Sequence, residues 1–150
     1  MQSINVYLSG EIHSQWRQEI IELCKALPLT FLGPNTDHET SDGIGAKIVG
    51  PQDSSFWSDH VSAKINTVRN RHLIDSADIV VVRFGDKYRQ WNAAFDAGYA
   101  AAKGKSLVVI HDSPIGHALK EVDAAAHATV ETPAQAAEIL RYAAQGATGN

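Results

Sequence analysis

Two stretches, Ile79-Val80-Val81-Val82 and Leu107-Val108-Val109-Ile110, carry the clearest information about the fold. Both are apolar at four consecutive positions and rich in β-branched residues, a pattern typical of strands that are covered on both faces. Parallel sheets are almost always covered on both faces, and the connections between their strands are usually helices. The two stretches therefore predict the centre of a parallel sheet in an α/β fold.

Three shorter apolar runs accompany these two stretches, and longer segments separate all five. The predicted strands are 4–8, 29–33, 79–84, 106–111 and 128–131. Strands that alternate with helical segments favour a sheet with helices on both faces. At this chain length the arrangement most resembles a flavodoxin-like or Rossmann-like doubly wound parallel sheet of five strands, in the order 2-1-3-4-5.

Four helices are predicted from periodicity and capping signals. Apolar residues recur every three or four positions over 12–27 and 61–73, which is the spacing of an amphipathic helix. A third helix is expected over 90–103, since Gly104 is a common residue just beyond a helix end. The fourth begins at Thr132-Pro133-Ala134-Gln135, because Thr, Pro and Gln at these positions form a capping pattern.

Two segments lack such signals. Residues 34–57 are dense in Gly, Pro, Asp and Ser without a sustained period, which predicts a long loop. Phe56 and Trp57 favour a loop that packs onto the protein over a disordered one. Residues 144–150 are small and polar, so a frayed tail is expected there. The whole of 1–150 is predicted to form a single domain.

Composition excludes several classes of protein. The 150 residues are 44% hydrophobic and 20% charged, which is typical of a soluble domain. The 13 basic and 17 acidic residues leave a formal charge of −4, so a face that binds duplex nucleic acid is not expected. No apolar stretch approaches the roughly 20 residues that span a membrane. A single cysteine, Cys24, and a start without a signal-peptide pattern predict a cytoplasmic protein.

The predicted topology indicates where a ligand should bind. In a sheet of this order the crevice lies at the carboxyl ends of the first and third strands. The first strand ends in Ser9-Gly10-Glu11 and the third is followed by Gly85-Asp86, so each offers a glycine beside a carboxylate. Glycine lets a ligand approach the backbone closely, and a carboxylate binds hydroxyl groups. The alternative is that the glycines serve turns and the acids are solvated.

Asp96 is the most informative single residue. It lies in Ala93-Ala94-Phe95-Asp96-Ala97-Gly98 with no basic residue within one helical turn. A carboxylate among small apolar residues is desolvated and reactive. Asn92 and Tyr99 can share its helix face and hold its orientation. The alternative is an ordinary exposed acid beside the apolar stripe.

Other candidate motifs favour structural roles. Gly43-Ile44-Gly45-Ala46-Lys47 does not follow a strand directly and lacks the Lys-Ser/Thr pair of a phosphate loop, so both nucleotide-binding fingerprints are rejected. The seven histidines lack metal-site spacing, and Asp37-His38-Glu39 is interpreted as solvated, so neither a metal site nor a cofactor is predicted. Cys24 is interpreted as a packing residue, and Ser9 and Ser113 lack an obvious His–Asp relay.

Several segments spread over nearly the whole chain resemble one enzyme family. They are Val6-Tyr7-Leu8-Ser9-Gly10-Glu11-Ile12-His13 with Trp16-Arg17, Phe31-Leu32-Gly33-Pro34 with Asp37-His38, Ala77-Asp78-Ile79-Val80, Gln90-Trp91-Asn92, and Phe95-Asp96-Ala97-Gly98-Tyr99-Ala100 through Lys103-Gly104-Lys105. They resemble the nucleoside 2-deoxyribosyltransferase superfamily and, within it, the small bacterial branch called YtoQ.

The resemblance implies roles for particular residues. Active transferases carry a Glu-x-Gly-x-Ala motif whose carboxylate attacks the anomeric carbon and displaces the base, and Asp96 stands at that position. Tyr7 looks like the family's aromatic residue that orients the nucleophile. Asp78 looks like the acid that contacts the base or its proton, and Asp86 is a candidate hydroxyl ligand. The chain departs from the family by having Asp where the known catalysts have Glu, which retracts the carboxylate by roughly 1.5 Å.

Two hypotheses of function follow. The first is an N-glycosidic bond enzyme that exchanges or hydrolyses the base of a small nucleoside or nucleotide through a covalent sugar ester on Asp96. Asp78 or Glu11 would protonate the base, and Gly10 with Asp86 would hold the sugar. The further substrate-binding candidates are Ser9, Trp91 and Asn92.

The alternative is a non-catalytic binding module that kept the crevice and lost the chemistry, a reading motivated by the exchange of Glu for Asp. An electron-transfer flavodoxin is disfavoured, because Ser9-Gly10-Glu11-Ile12-His13-Ser14 is not a run of flavin-phosphate donors. Arg83 and Lys87 flank the end of the third strand, so recognition of a phosphate stays open. A homodimer or larger homo-oligomer is also predicted. The resemblance implies it, because members of the family commonly complete their site with residues of a neighbouring subunit. The aromatic residues Trp16, Trp57 and Trp91 favour it as well.

Overall fold

The computed structural model describes residues 2–87 and 89–147, with the side chain of residue 147 left out. Within these ranges one parallel sheet has the order β2-β1-β3-β4-β5. Its strands are β1 Ile4–Gly10, β2 Leu29–Leu32, β3 Ile79–Arg83, β4 Ser106–Ile110 and β5 Ala128–Val130. The predicted α/β class and strand order are confirmed.

Six α-helices accompany the sheet in the described ranges. They are α1 Trp16–Leu23, α2 His38–Val49, α3 Ser55–Ser76, α4 Trp91–Ala102, α5 Lys120–Ala125 and α6 Pro133–Ala147. The helix α2 packs on α3 and not on the sheet. Alternate residues of β3 point to opposite faces, so Val81 packs toward α1 and α6 while Val80 and Val82 pack toward α3 and α4. No described helix is both long enough and apolar enough to cross a membrane.

The prediction of a long loop over 34–57 is wrong. Most of this segment forms α2 and the first turn of α3, and both helices begin at side-chain caps: Asp37 accepts from the backbone N–H of Thr40, and Ser54 accepts from that of Trp57. Gly45 marks a helix contact instead of a turn. A Cβ at Gly45 would lie 2.9 Å from the Ser62 hydroxyl, so glycine permits the close packing of α2 on α3.

The ends of the other helices differ less from expectation. The capping pattern at Thr132 is confirmed, since its hydroxyl accepts from the N–H of Gln135 and the Gln135 side chain accepts from the N–H of Thr132. The expected tail over 144–150 is wrong for 144–147, which are helical because Ala144 is buried against the protein. Residues 148–150 lie outside the described ranges. α1 begins later than 12, because 11–15 form the loop after β1, and α5 had no sequence signal.

A buried histidine ties β4 to α5. The Nε2 of His111 lies 2.7 and 3.0 Å from the carboxylate oxygens of Asp123, and its Nδ1 lies 2.7 Å from the carbonyl oxygen of Asp112. Both partners only accept hydrogen bonds, so the fully bonded ring is the charged imidazolium. Burial works to lower the pKa of His111, but these two hydrogen bonds outweigh it and raise the pKa above the ordinary 6.5.

We expect His111 to make stability fall as the pH rises. The folded chain binds this proton more tightly than the unfolded chain, so the contribution is complete below about pH 6.5 and is lost as the pH rises through the folded-state pKa. Urea unfolding should show that the free energy of unfolding decreases more between about pH 6 and pH 9 for the wild type than for His111→Gln, because the variant has no ring to deprotonate. Equal losses in the two proteins would contradict this expectation.

Candidate active site

The carboxyl ends of β1 and β3 meet at one edge of the sheet, and Gly10 fixes how closely they meet. Gly10 pairs with Arg83 across the two strands and has a φ of +116°, a region that side chains rarely adopt. A Cβ at this position would lie 2.1 Å from the carbonyl oxygen of Arg83. Only glycine therefore allows β1 to end against β3 in this way.

A buried arginine holds the loop that follows β1. The guanidinium of Arg17 donates to the carbonyl oxygens of Leu8, Gly10 and Glu11, at 3.1, 3.2 and 2.7 Å. The indole N–H of Trp16 donates to the same carbonyl of Glu11 at 2.7 Å. Burial lowers the pKa of Arg17 to about 10, so the group stays charged at neutral pH. These bonds fix the backbone on which the site is built.

Asp96 reaches this sheet edge from α4. The buried face of α4 consists of Ala93, Ala97 and Ala100, and these small side chains let the helix lie close to the sheet. The hydroxyl of Ser9, which is 1% exposed, donates to Oδ2 of Asp96 at 2.6 Å. Burial raises the pKa of the Asp96 carboxyl, and the Ser9 hydrogen bond works against that rise. The predicted desolvated carboxylate is therefore present, with Ser9 as its partner.

Tyr7 lies on the same face of β1 but does not hydrogen-bond to Asp96. Its side chain is fully buried, and its hydroxyl has no hydrogen-bond partner in the described part of the chain. Burial, and then the negative charge of Asp96, raise the pKa of Tyr7, so it remains a neutral phenol. Among the described residues, the hydrogen bond to the Asp96 carboxylate is therefore donated by Ser9 and not by Tyr7.

A cleft of about 340 Å³ opens in front of Asp96. One wall is the sheet edge at Gly10 together with Asn92 and Asp96 of α4, and the other is formed by α2 and α3. The second wall is lined by Ser41, Asp42, Asp59, Ser62, Asn66, Thr67 and Asn70, which carry hydroxyl, amide and carboxyl groups. The Ser62 hydroxyl is used between the helices, since it accepts from the N–H of Gly45 and donates to the carbonyl oxygen of Asp42. No lysine or arginine is among the described residues that line this cleft. The cleft is thus polar, with acidic and neutral groups and one histidine, His38.

The wall that α2 and α3 provide is not among the predicted parts of the site. A signal for it exists in the spacing of Ser62, Asn66 and Asn70, which recur every four positions and so form one polar stripe on a helix. The interpretation of His38 as solvated agrees with its side chain, which is 68% exposed; the residue also lines the cleft, and its Nδ1 lies 2.8 Å from the Asp42 carboxylate. Asp37 is the cap of α2 and not a ligand.

Glu11 is buried, and its carboxylate is hydrogen-bonded to other groups of the protein. Its carboxylate accepts from the Ser14 hydroxyl at 2.7 Å, from the N–H of His13, and from the Arg83 guanidinium at 2.7 Å. Burial opposes ionisation of Glu11, but these three donors outweigh it and lower the pKa of its carboxyl. Glu11 does not line the cleft, and a carboxyl that stays ionised does not suit the expected role of protonating a base.

Asp78 lies at the opposite edge of the sheet. It precedes β3 and accepts a hydrogen bond from the backbone N–H of Asn5, at the start of β1. Five residues separate it from the carboxyl end of the strand at Arg83, which at about 3.3 Å per residue is roughly 16 Å. The structure therefore does not bring Asp78 to Asp96, because the two ends of a strand cannot share one site.

Two further predicted ligands belong to a different cavity. Asp86 and Trp91 line a groove of about 690 Å³ on the other side of the start of α4, with Phe84 and Leu119. Trp91 is 74% exposed and lies against the Arg89 guanidinium. Of the other candidates, only Gly10, Asn92 and Asp96 line the cleft itself.

Tyr99 does not hold the orientation of Asp96 through its hydroxyl, which donates to Asp75 of α3 at 2.8 Å.

Within the described ranges, no group of three or more His, Cys, Asp and Glu side chains is placed to hold a metal ion.

The chain matches proteins of one family. The family described as nucleoside 2-deoxyribosyltransferase YtoQ matches residues 7–144. The uncharacterized protein YtoQ of Bacillus subtilis (strain 168) is 48% identical over 139 residues, which cover 91% of this chain and 94% of that protein.

Two solved structures share the fold at low sequence identity. The 2-deoxyribosyltransferase of the psychrotolerant bacterium Bacillus psychrosaccharolyticus superposes with a TM-score of 0.58 at 15% identity, covering 89% of this chain and 90% of that chain. A conserved protein from Enterococcus faecalis V583 superposes with a TM-score of 0.54 at 14% identity, covering 91% and 96%. The match over 7–144 and the 48% identity show that the chain belongs to the nucleoside 2-deoxyribosyltransferase YtoQ family.

Proposed function

We propose that the protein cleaves the N-glycosidic bond of a nucleoside, with Asp96 as the nucleophile. The observation that carries the proposal is a half-buried carboxylate, held by Ser9, at the wall of a polar cleft on the carboxyl edge of the sheet. An oxygen of Asp96 bonds to the anomeric carbon as the carbon–nitrogen bond breaks, and the base leaves with the electron pair and takes up a proton. A second base or water then displaces the sugar from the ester.

The lining of the cleft supports binding of the sugar and base of a nucleoside. Sugar hydroxyls and base edges are bound by amide, hydroxyl and carboxylate groups of the kind that α2 and α3 present. The described lining of the cleft itself contains neither lysine nor arginine, but a cavity of about 310 Å³ that shares Asp96 and Asn92 with it is lined by Arg71, which is a candidate cationic partner for a phosphate. Because Glu11 and Asp78 lie outside the cleft, we assign contact with the base to three residues that line it, His38, Asp42 and Asp59.

Incubation with a panel of substrates tests the proposal. The protein is mixed with 2′-deoxynucleosides, ribonucleosides and their 5′-monophosphates, with and without a free acceptor base, and the products are separated by chromatography. Base exchange identifies a transferase, and release of free sugar identifies a hydrolase. Binding measured by thermal shift without any turnover would overturn the proposal in favour of a non-catalytic nucleoside-binding module.

We also expect a homodimer or larger homo-oligomer in the cytoplasm. Trp57 and Trp91 are 55% and 74% exposed, which is a large aromatic surface for a small monomer, whereas Trp16 is buried. Cys24 is buried and free, in keeping with a reducing compartment. Light scattering at micromolar concentration should give a mass of at least twice that of the 16.2 kDa chain, and a monomeric mass would contradict the assembly.

A further inference from the structure

Two hydroxyl side chains of β1 face α4, but they stand in different relations to Asp96. Tyr7 and Ser9 are two residues apart in the strand and so point to the same face of the sheet. The Ser9 hydroxyl lies 2.6 Å from Oδ2 of Asp96, while the Tyr7 hydroxyl has no partner in the described ranges. The nucleophile is therefore anchored at position 9 and not at position 7.

We propose that Ser9 is the positioning residue for Asp96, an inference that rests on the proposed role of Asp96 as nucleophile. A hydrogen bond from Ser9 to Oδ2 restricts rotation of the carboxyl group and leaves Oδ1 as the attacking oxygen. Asp has one rotatable bond fewer than Glu, so a single anchor is sufficient to fix its carboxylate.

The surroundings of Ser9 make this anchor strong. Because Ser9 is 1% exposed, water does not compete for its hydroxyl. A hydrogen bond to an ionised carboxylate is roughly twice as strong as one between neutral groups. It also favours the ionised carboxylate, which is the nucleophilic form and which burial otherwise disfavours.

Comparison of Ser9→Ala with Tyr7→Phe tests the assignment. The Asp96 carboxyl is titrated by ¹³C NMR in each purified protein, and kcat/KM is measured against pH on the best nucleoside of the panel. Ser9→Ala should shift the Asp96 titration to higher pH, move the acid limb of the kcat/KM profile in the same direction and lower kcat by about 10- to 100-fold. Tyr7→Phe should affect kcat and the titration less.

Ser14→Ala is the matched control, since it also removes a hydroxyl from a carboxylate, that of Glu11, without touching Asp96. In Ser14→Ala, the Asp96 carboxyl should titrate at the same pH as in the wild type. If Ser9→Ala does not fold, Ser9→Cys, which keeps a weak donor of similar shape, should shift the titration in the same direction.

An unmoved Asp96 titration in the Ser9 variants, or a larger loss of kcat from Tyr7→Phe than from Ser9→Ala, would overturn the assignment. The proposed function fails separately, because the titration is measured without turnover. If the Asp96 titration shifts in Ser9→Ala but the wild-type protein turns over no nucleoside, Ser9 is still the hydrogen-bond partner of Asp96 and the proposed enzymatic function is rejected.

Discussion

Asp96→Asn should abolish turnover, with kcat falling by at least about a thousandfold. The substitution keeps the size of the side chain and an oxygen that accepts from Ser9, but an amide does not form the sugar ester. A 2′-fluoro-2′-deoxynucleoside should label the wild type on Asp96 and leave the variant unlabelled, as measured by intact-protein mass spectrometry and peptide mapping. Binding of the unreacted nucleoside should persist, because the rest of the cleft is unchanged.

The matched control is Asp86→Asn. Asp86 is an exposed carboxylate after β3 that lines the second groove instead of the cleft, so its loss should leave turnover near the wild-type rate. Full activity of Asp96→Asn, or label on another residue, would show that Asp96 is not the nucleophile. A large loss of activity in Asp86→Asn would instead indicate that the sugar binds in the second groove.

Gly10→Ala should destabilise the fold by at least about 3 kcal/mol and remove activity. The added Cβ would lie 2.1 Å from the backbone oxygen of Arg83, and a φ of +116° is itself strained for alanine. A main-chain oxygen in a sheet cannot rotate away, so β1 must separate from β3 at the edge that carries Ser9. Urea unfolding monitored by circular dichroism measures the free energy of unfolding.

Gly43→Ala provides the comparison for this measurement. A Cβ at Gly43 meets nothing within 4 Å, and the residue lies inside α2, where alanine is the better helix former. We expect this variant to unfold at the same or a higher urea concentration than the wild type. If Gly10→Ala were equally stable, the close approach of β1 and β3 would not need glycine.

The sheet could be predicted because burial on both faces leaves a local signature. Runs such as those at Val80 and Val108 are apolar at every position, and the predicted strand order comes from the likeness of a five-strand α/β chain of this length to the flavodoxin-like sheet. The helix α2 could not be predicted in this way, because its glycines resemble a loop until their packing partners on α3 are known. Its hydrophobic pattern is set by a neighbouring helix and not by the sheet core.

The site could be predicted only in part, for a related reason. Asp96 stands out because its neighbours in sequence are also its neighbours in space, on one turn of α4. Asp78 directly precedes the predicted strand 79–84, whereas the predicted crevice lies at the carboxyl end of that strand, so the role predicted for Asp78 rests on the family resemblance and not on the predicted topology. Glu11 has the right chemistry and the right end of its strand, but the sequence does not reveal that Arg83 binds it, because that contact joins residues more than 70 positions apart.

The two walls of the cleft come from separate parts of the chain, and this has an evolutionary consequence under the proposed function. The reacting carboxylate and its anchor belong to β1 and α4, whereas most groups that would read the ligand belong to the paired helices α2 and α3. Substitutions at Asn66 or Asn70 can therefore alter which base is accepted without disturbing the carboxylate. A lineage built on this plan can diversify its substrates by mutating one helical pair while its chemistry is inherited intact.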